Sequence, residues 1–266
     1  MNYHDITRVV KRALTRRKVE SAGLVLAAAL AAGGLVATGS SSPSSVLAPS
    51  AQYVTAVVSD KDMKPVDSSA SSANWDLANL DHARVDSWVR RFTSDLKRSF
   101  ATYMRRMDKY EPMITAKLEQ RGMPQDLIYL AMIESGFNPT AKSPAKASGL
   151  WQFIGETGRR YGLTVTRKYD ERNDPAKATD AALSYLADLH QRFGSWYLAA
   201  AAYNTGENRV GRIMREVTGS ERGTDADYYR IAHRLPKETR DYVPKLIAAA
   251  RIAKEPAKYG FGEPTS

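Results

Sequence analysis

The stretch that decides the fold is residues 124–139, which read PQDLIYLAMIESGFNP. Four of its residues are spaced i, i+3, i+4 and i+7 and so share one face of an α-helix: Leu127, Leu130, Ala131 and Glu134. Gly136 follows, and glycine commonly ends a helix by adopting a left-handed conformation. The sequence therefore predicts a short apolar helix with a single carboxyl group, that of Glu134, in its last turn.

A carboxyl group at this position has an unusual environment. Burial and the negative end of the helix dipole both disfavour its charged form and so raise its pKa. An unpaired buried charge is costly, which leaves two interpretations of Glu134. The group either pairs with an arginine from elsewhere in the chain, or it is a protonated glutamic acid suited to general acid catalysis near neutral pH.

The hydrophobic pattern outside this stretch is also helical, from about residue 80 to 255. One long amphipathic helix or two cover about 80–107, and a short helix lies between Pro112 and Gly122. The predicted helices that follow lie at about 148–161, 175–193, 195–204 and 238–254, with Pro244 kinking or restarting the last. Strand propensity is confined to residues 163–165, so we expect an all-α body.

Composition excludes several classes of enzyme. The chain has 266 residues, a net charge of +10, four histidines and no cysteine. A cysteine nucleophile and a cysteine-ligated zinc site are therefore excluded, and the histidines lack the His-x-x-x-His spacing of a helical zinc site. The sequence also lacks a Gly-x-x-x-x-Gly-Lys-Ser/Thr phosphate-binding loop. We expect neither a metal ion nor a cofactor.

The amino-terminal segment is typical of an exported protein. Residues 1–40 carry six lysines or arginines and two acidic residues, and residues 22–39 are apolar and small. We interpret 1–39 as a signal peptide or an N-terminal membrane anchor, with cleavage after Ala37 or Ala48 and retention both open. Residues 40–79, rich in Ser, Ala and Pro, predict a flexible linker. The expected location is the periplasm or cell envelope.

Three sequence motifs occur in order at domain-sized spacing: ESGFNP at 134–139, GLWQF at 149–153 and AYNTG at 202–206. Together they closely resemble the motifs of the soluble-lytic-transglycosylase (SLT) domain, a member of glycoside hydrolase family 23 that is similar in fold to goose-type lysozyme. The flanking sequence at 123–130, 170–175 and 235–244 resembles the D-type membrane-bound lytic murein transglycosylases. That group usually carries C-terminal LysM repeats and often a lipid-anchoring cysteine, and neither is seen here.

The resemblance implies a lysozyme-like all-α architecture with a defined order of segments. A helical extension at 80–122 precedes a catalytic domain at 123–255, and a tail follows at 256–266. Such enzymes cleave the β-1,4 bond between N-acetylmuramic acid and N-acetylglucosamine and leave a 1,6-anhydromuramic end. The expected substrate is the peptidoglycan glycan strand, and the expected assembly is a monomer that is attached to the membrane, if at all, by its N-terminal helix. We expect no binding of nucleic acid, because the body is only mildly basic.

The resemblance also implies the roles of individual residues. Glu134 acts as a general acid and then as a general base. The substrate-binding residues that it implies are Ser135, Gly149, Gln152, Tyr203, Asn204 and Tyr242. Ser135 supports the loop, while Gln152 and the backbone near Gly149 hold an N-acetyl group. Tyr203 stacks on a sugar ring and Asn204 bonds an amide. The hydroxyl group of Tyr242 orients Glu134.

Two other functions remain open from the sequence. A hydrolytic muramidase would need a second acid to position water, and Asp170 or Asp174 could supply it. A glycan-binding scaffold without activity is the other alternative, and the presence of Glu134 speaks against it.

Overall fold

The computed structural model describes residues 75–262, which form nine α-helices and no β-strand. Within this range no helix is both long enough and apolar enough to cross a membrane. The predicted signal or anchor at 1–39, and most of the predicted linker, lie outside the described residues. The prediction of an all-α body is confirmed.

The helices follow one another with short connections. They are α1 (Ala83–Thr93), α2 (Lys97–Gln120), α3 (Ile128–Ser135), α4 (Gly155–Arg160), α5 (Pro175–Phe193), α6 (Trp196–Thr205), α7 (Glu207–Thr218), α8 (Asp225–Ile231) and α9 (Lys237–Lys254). Short 3₁₀ turns occur at Gln125–Leu127, Glu171–Asn173, Ala232–Arg234 and Pro256–Tyr259. Helices α7 and α8 were not predicted.

Local signals set the ends of α5 as the sequence predicts. The side chain of Asp174 accepts hydrogen bonds from the backbone N–H groups of Ala176 and Lys177, and Pro175 occupies the first turn. Gly194 ends the helix in a left-handed conformation. Helix α6 follows directly and is buried on nearly every side, as its uniformly apolar sequence indicates.

Two of the predicted helices are wrong. The short helix expected after Pro112 is the second half of α2, because buried residues continue on one stripe across the proline and packing outweighs one lost hydrogen bond. The helix expected from residue 148 begins only at Gly155. Residues 148–153 form a tight loop instead, with isolated backbone bridges from Ser148 to Lys142 and to Phe153.

Helix α9 is central and packs against α1, α3 and α6. Pro244 lies inside it and neither restarts nor interrupts it. A proline lacks the N–H group that would bond the carbonyl four residues earlier, here that of Arg240. The hydroxyl group of Tyr228 donates to that carbonyl at 2.9 Å and so replaces the missing partner. Tyr242 is thereby carried on a continuous helix next to a proline.

The folded part extends beyond the predicted boundaries of 80 and 255. Leu77, assigned to the linker, is buried, and its backbone N–H donates to the buried carboxylate of Asp126 at 3.1 Å. Phe261, assigned to the tail, is buried beside Phe100. The helical extension and the following domain share one hydrophobic core, so α1 and α2 belong to the same folded unit as α3.

Candidate active site

Glu134 lies in the last turn of α3, a helix in which every residue except Ser135 is buried. The glutamate is only 6% exposed. Gly136 ends the helix at φ +57°, and a Cβ atom there would lie 2.2 Å from the ring of Tyr103. Glycine is therefore required both by the backbone conformation and by the aromatic ring packed against it.

The two oxygen atoms of the Glu134 carboxyl group have different surroundings. Oε1 accepts a hydrogen bond of 2.5 Å from the hydroxyl group of Tyr242, which is itself buried. Oε2 is buried and has no hydrogen-bond partner among residues 75–262. No arginine pairs with the carboxyl group in that range, which removes the buried ion pair that the sequence left open. Among the described residues, one oxygen is thus held by Tyr242 and the other is unbonded.

Burial is the largest influence on this carboxyl group and raises the pKa of Glu134 to about 7. The hydrogen bond from Tyr242 and the positive charge of Lys245 lower this pKa, and the negative charge of Glu238 raises it. The balance leaves a carboxyl group that is protonated and deprotonated with similar ease near neutral pH. That is the property required of a group that first gives and then takes a proton.

Ser135 joins the first two motifs. Its hydroxyl group donates to the carbonyl oxygen of Leu150 at 2.8 Å and accepts from the backbone N–H of Asn138 at 3.2 Å. The side chain therefore connects the end of α3 to the loop at 148–153.

The loop at 148–153 depends on two left-handed residues. Gly149 has φ +87°, and a Cβ atom there would lie 1.7 Å from the carbonyl oxygen of Arg172. Gln152 has φ +48° and uses its side-chain nitrogen to bond the carbonyl oxygens of Ala141 and Gly149. Because that nitrogen is committed to the backbone, Gln152 stabilises the loop in this structure.

Tyr203 and Asn204 end α6 beside the glutamate. The hydroxyl group of Tyr203 donates to the carbonyl oxygen of Trp151 at 2.8 Å, and burial together with the charge of Glu134 raises the pKa of Tyr203. Asn204 accepts from Thr239 at 2.7 Å and donates to Glu238 at 3.2 Å. Both ends of the amide are already bonded, so Asn204 braces α6 against α9 here.

Residues 111–225 match the family model described as the Transglycosylase SLT domain. This part of the chain is similar in sequence to the SLT domain. The chain is 42% identical over 162 residues to membrane-bound lytic murein transglycosylase D of Escherichia coli (strain K12), covering 60% of this chain and 35% of that protein. It is 34% identical over 145 residues to peptidoglycan transglycosylase gp16 of Escherichia phage T7, covering 53% of this chain and 10% of that protein.

A solved structure is also similar. The 70 kDa soluble lytic transglycosylase of Escherichia coli matches with a TM-score of 0.46 and 25% identity, over 59% of this chain and 26% of that one. The chain spans about a third, 35%, of the length of membrane-bound lytic murein transglycosylase D of Escherichia coli.

Two acidic residues considered as water-positioning groups have other partners in the structure. Asp170 forms two hydrogen bonds to the guanidinium group of Arg172, at 2.9 and 2.7 Å, and these bonds lower its pKa. Asp174 is occupied in capping α5. Arg172 in turn donates to the carbonyl oxygens of Lys146 and Phe153, so the pair of Asp170 and Arg172 supports the loop at 148–153.

Two charged residues near Glu134 were missed. Glu238 and Lys245 lie on α9, and the charge of each affects the pKa of Glu134. They are four residues before and three residues after Tyr242, which places all three on one helix face. That spacing from the expected site tyrosine is the signal that could have found them.

Proposed function

We propose that this protein is a peptidoglycan lytic transglycosylase with Glu134 as its general acid and base. The observation that carries the proposal is the carboxyl group itself. It is buried, held through one oxygen by Tyr242, without a partner at Oε2 in the part of the chain that the structure describes, and has a pKa raised to about 7. The match of residues 111–225 to the SLT domain model, and the activities named for the relatives, support the same assignment.

The first step uses the protonated form of Glu134. Oε2 donates its proton to the glycosidic oxygen between N-acetylmuramic acid and N-acetylglucosamine, and the bond from that oxygen to C1 breaks with its electron pair staying on oxygen. The N-acetylglucosamine leaves with a new hydroxyl group. Glu134 becomes a carboxylate, which the hydroxyl group of Tyr242 stabilises by hydrogen bonding.

The second step uses that carboxylate as a base. The C6 hydroxyl group of the same N-acetylmuramic acid attacks C1 and gives its proton to Glu134, which closes the 1,6-anhydro ring. Because the nucleophile is already part of the substrate, no second carboxylate is needed to activate water. Glu134 returns to its protonated form, and the reaction consumes no water.

A hydrolytic muramidase remains the second candidate, favoured by one observation. Glu238 is a second carboxyl group whose charge acts on Glu134, and burial raises its pKa. One of its oxygens accepts a hydrogen bond from Asn204. Glu238, rather than Asp170 or Asp174, is therefore the residue that could orient a water molecule in a hydrolase.

Location and attachment are part of the same proposal. A peptidoglycan substrate requires export to the periplasm or cell envelope, in agreement with the signal or anchor expected at residues 1–39. The relative from Escherichia coli that is named as a membrane-bound lytic murein transglycosylase supports this location.

The test is the chemistry of the new chain ends. Purified peptidoglycan is digested in water enriched in heavy oxygen, and the products are weighed. We expect anhydro ends, lighter than reducing ends by one water molecule and free of heavy oxygen. Reducing ends carrying heavy oxygen would identify a hydrolase instead.

A variant at the catalytic position completes the experiment. Glu134→Gln should release no products while keeping the helical circular dichroism of the parent. If Glu134→Gln digests peptidoglycan as fast as the parent, Glu134 is not the acid. If neither protein digests it but both bind it, the glycan-binding scaffold is the better description.

A further inference from the structure

One half-buried cation lies next to the proposed acid without a part in the two steps above. Lys245 is on α9, one helical turn beyond Tyr242. Its Nζ atom donates to the carbonyl oxygen of Ile133 at 3.1 Å. Ile133 immediately precedes Glu134, so the ammonium group contacts the backbone of the turn that carries the carboxyl group.

The last turn of α3 is a place where a cation is favourable. The final carbonyl groups of a helix lack partners within it, and the helix dipole makes that end negative. Two cations from different helices bond these carbonyls. Besides Lys245 at Ile133, Arg106 on α2 lies 3.4 Å from the carbonyl oxygen of Gly136. Cations from α9 and from α2 therefore contact the backbone on both sides of Glu134.

Charged and aromatic groups surround Lys245 on three helices. Glu134 on α3 and Glu238 on α9 are the acidic neighbours, and Arg91 on α1 is the basic one. The ring of Trp88, also on α1, lies 5.6 Å from Nζ. Glu134 is faced in addition by Tyr242, and its charge reaches Tyr203 on α6.

Keeping this lysine charged has a cost. Burial lowers the pKa of Lys245 to about 8, although the two neighbouring glutamates oppose that shift. An apolar side chain of the same length would fill the space without desolvating an ammonium group. Packing alone therefore does not explain a lysine here, whereas the carbonyl end of α3 and the two neighbouring glutamates do.

We propose that Lys245 is a positioning residue for Glu134: its ammonium group anchors the last turn of α3 and supplies the positive charge that faces the carboxyl group. This inference rests on the proposed role of Glu134. When Glu134 gives up its proton in the first step, the charge of Lys245 stabilises the resulting carboxylate. When Glu134 takes the C6 hydroxyl proton in the second step, the original charge distribution is restored.

The test measures the ionisation of Glu134 directly in the full-length chain. The protein is labelled with ¹³C at glutamate carboxyl groups, and the Glu134 signal is assigned as the one lost in Glu134→Gln. In Lys245→Met the charge is gone and the shape is nearly kept. We expect the titration midpoint of Glu134 to rise by about one pH unit, because an opposite charge nearby lowers the pKa of a carboxyl group.

Lys245→Arg is the matched control, because it keeps a positive charge on α9, and its midpoint should remain close to that of the parent. Lys245→Gln is a second neutral variant and should behave like Lys245→Met, which covers the case in which one of them unfolds. A midpoint that is the same in the parent and in the folded neutral variants would overturn the proposal.

Activity gives an independent readout. Rates of peptidoglycan cleavage should fall above the pKa of Glu134, and this alkaline limb should move to higher pH in Lys245→Met but not in Lys245→Arg. The effect should lie in kcat more than in KM, because Lys245 acts on the acid. If the parent makes no anhydro ends, the proposed function fails, while the carboxyl titration still decides whether Lys245 sets the ionisation of Glu134.

Discussion

Replacing the buried acid by its amide should make the protein more stable near neutral pH. The pKa of Glu134 rises from 4.5 to about 7 on folding, chiefly through burial. The folded chain therefore binds this proton more tightly than the unfolded chain does. The resulting stability is fully present below the unfolded value and is lost as the pH rises through the folded value.

The size of the effect follows from that shift. A change of about 2.5 pKa units at roughly 1.4 kcal/mol per unit amounts to about 3 kcal/mol. Glu134→Gln does not ionise and escapes this loss. The free energy of unfolding of the variant, relative to the parent, should rise by about 3 kcal/mol between about pH 4 and about pH 7. Cleavage of peptidoglycan should be abolished at both pH values.

Urea unfolding followed by circular dichroism measures the difference at each pH. Any constant effect of the amide on packing cancels, because only the change with pH is used. Glu119→Gln, at an exposed position on α2, is the matched control. Its free energy of unfolding should differ from that of the parent by the same amount at both pH values. If the difference in free energy of unfolding between Glu134→Gln and the parent is also the same at both pH values, the fold does not raise the pKa of Glu134.

Three further predictions test the surroundings of the site. Tyr242→Phe removes the hydrogen bond that favours the ionised form of Glu134. The alkaline limb of the pH–rate profile should therefore move to higher pH by about one to two units, and kcat should fall. A limb that stays at the same pH would contradict this prediction. Gly149→Ala places a methyl carbon 1.7 Å from the carbonyl oxygen of Arg172, at a residue whose φ is +87°. Urea unfolding should therefore show that the free energy of unfolding falls by more than about 2 kcal/mol. A variant as stable as the parent would show that the loop relaxes freely. Asp126→Ala removes a buried carboxylate that pairs with Lys254 at 2.6 Å. Thermal unfolding should show that the free energy of unfolding falls by about 3–5 kcal/mol. A decrease below about 1 kcal/mol would mean that the pair contributes little to stability.

Predictions from local patterns succeeded where a single helix decides the outcome. The face of α3, the left-handed Gly136 and the cap at Asp174 all depend on residues within one or two turns of each other. The same reasoning failed at Pro112, because the apolar stripe that carries α2 through the proline is stabilised by helices distant in sequence.

The loop at 148–153 could not be predicted from its own residues. Its apolar spacing is compatible with a helix, but Gly149 and Gln152 take left-handed conformations. Arg172, about twenty residues later, holds this loop through hydrogen bonds to Phe153 and Lys146. A contact of that sequence separation has no periodic signal.

The sequence by itself determined that a lone carboxyl group stands on an apolar helix face, and that burial and the helix end raise its pKa. The motif resemblance implied that Tyr242 contacts Glu134, and only the tertiary structure added Lys245 to the groups that oppose that shift. Tyr242 and Lys245 come from α9, more than a hundred residues away, and reach Glu134 because α9 packs against α3. The ionisation of a buried acid depends on charges and hydrogen bonds within a few ångströms of it, and packing alone brings those groups together.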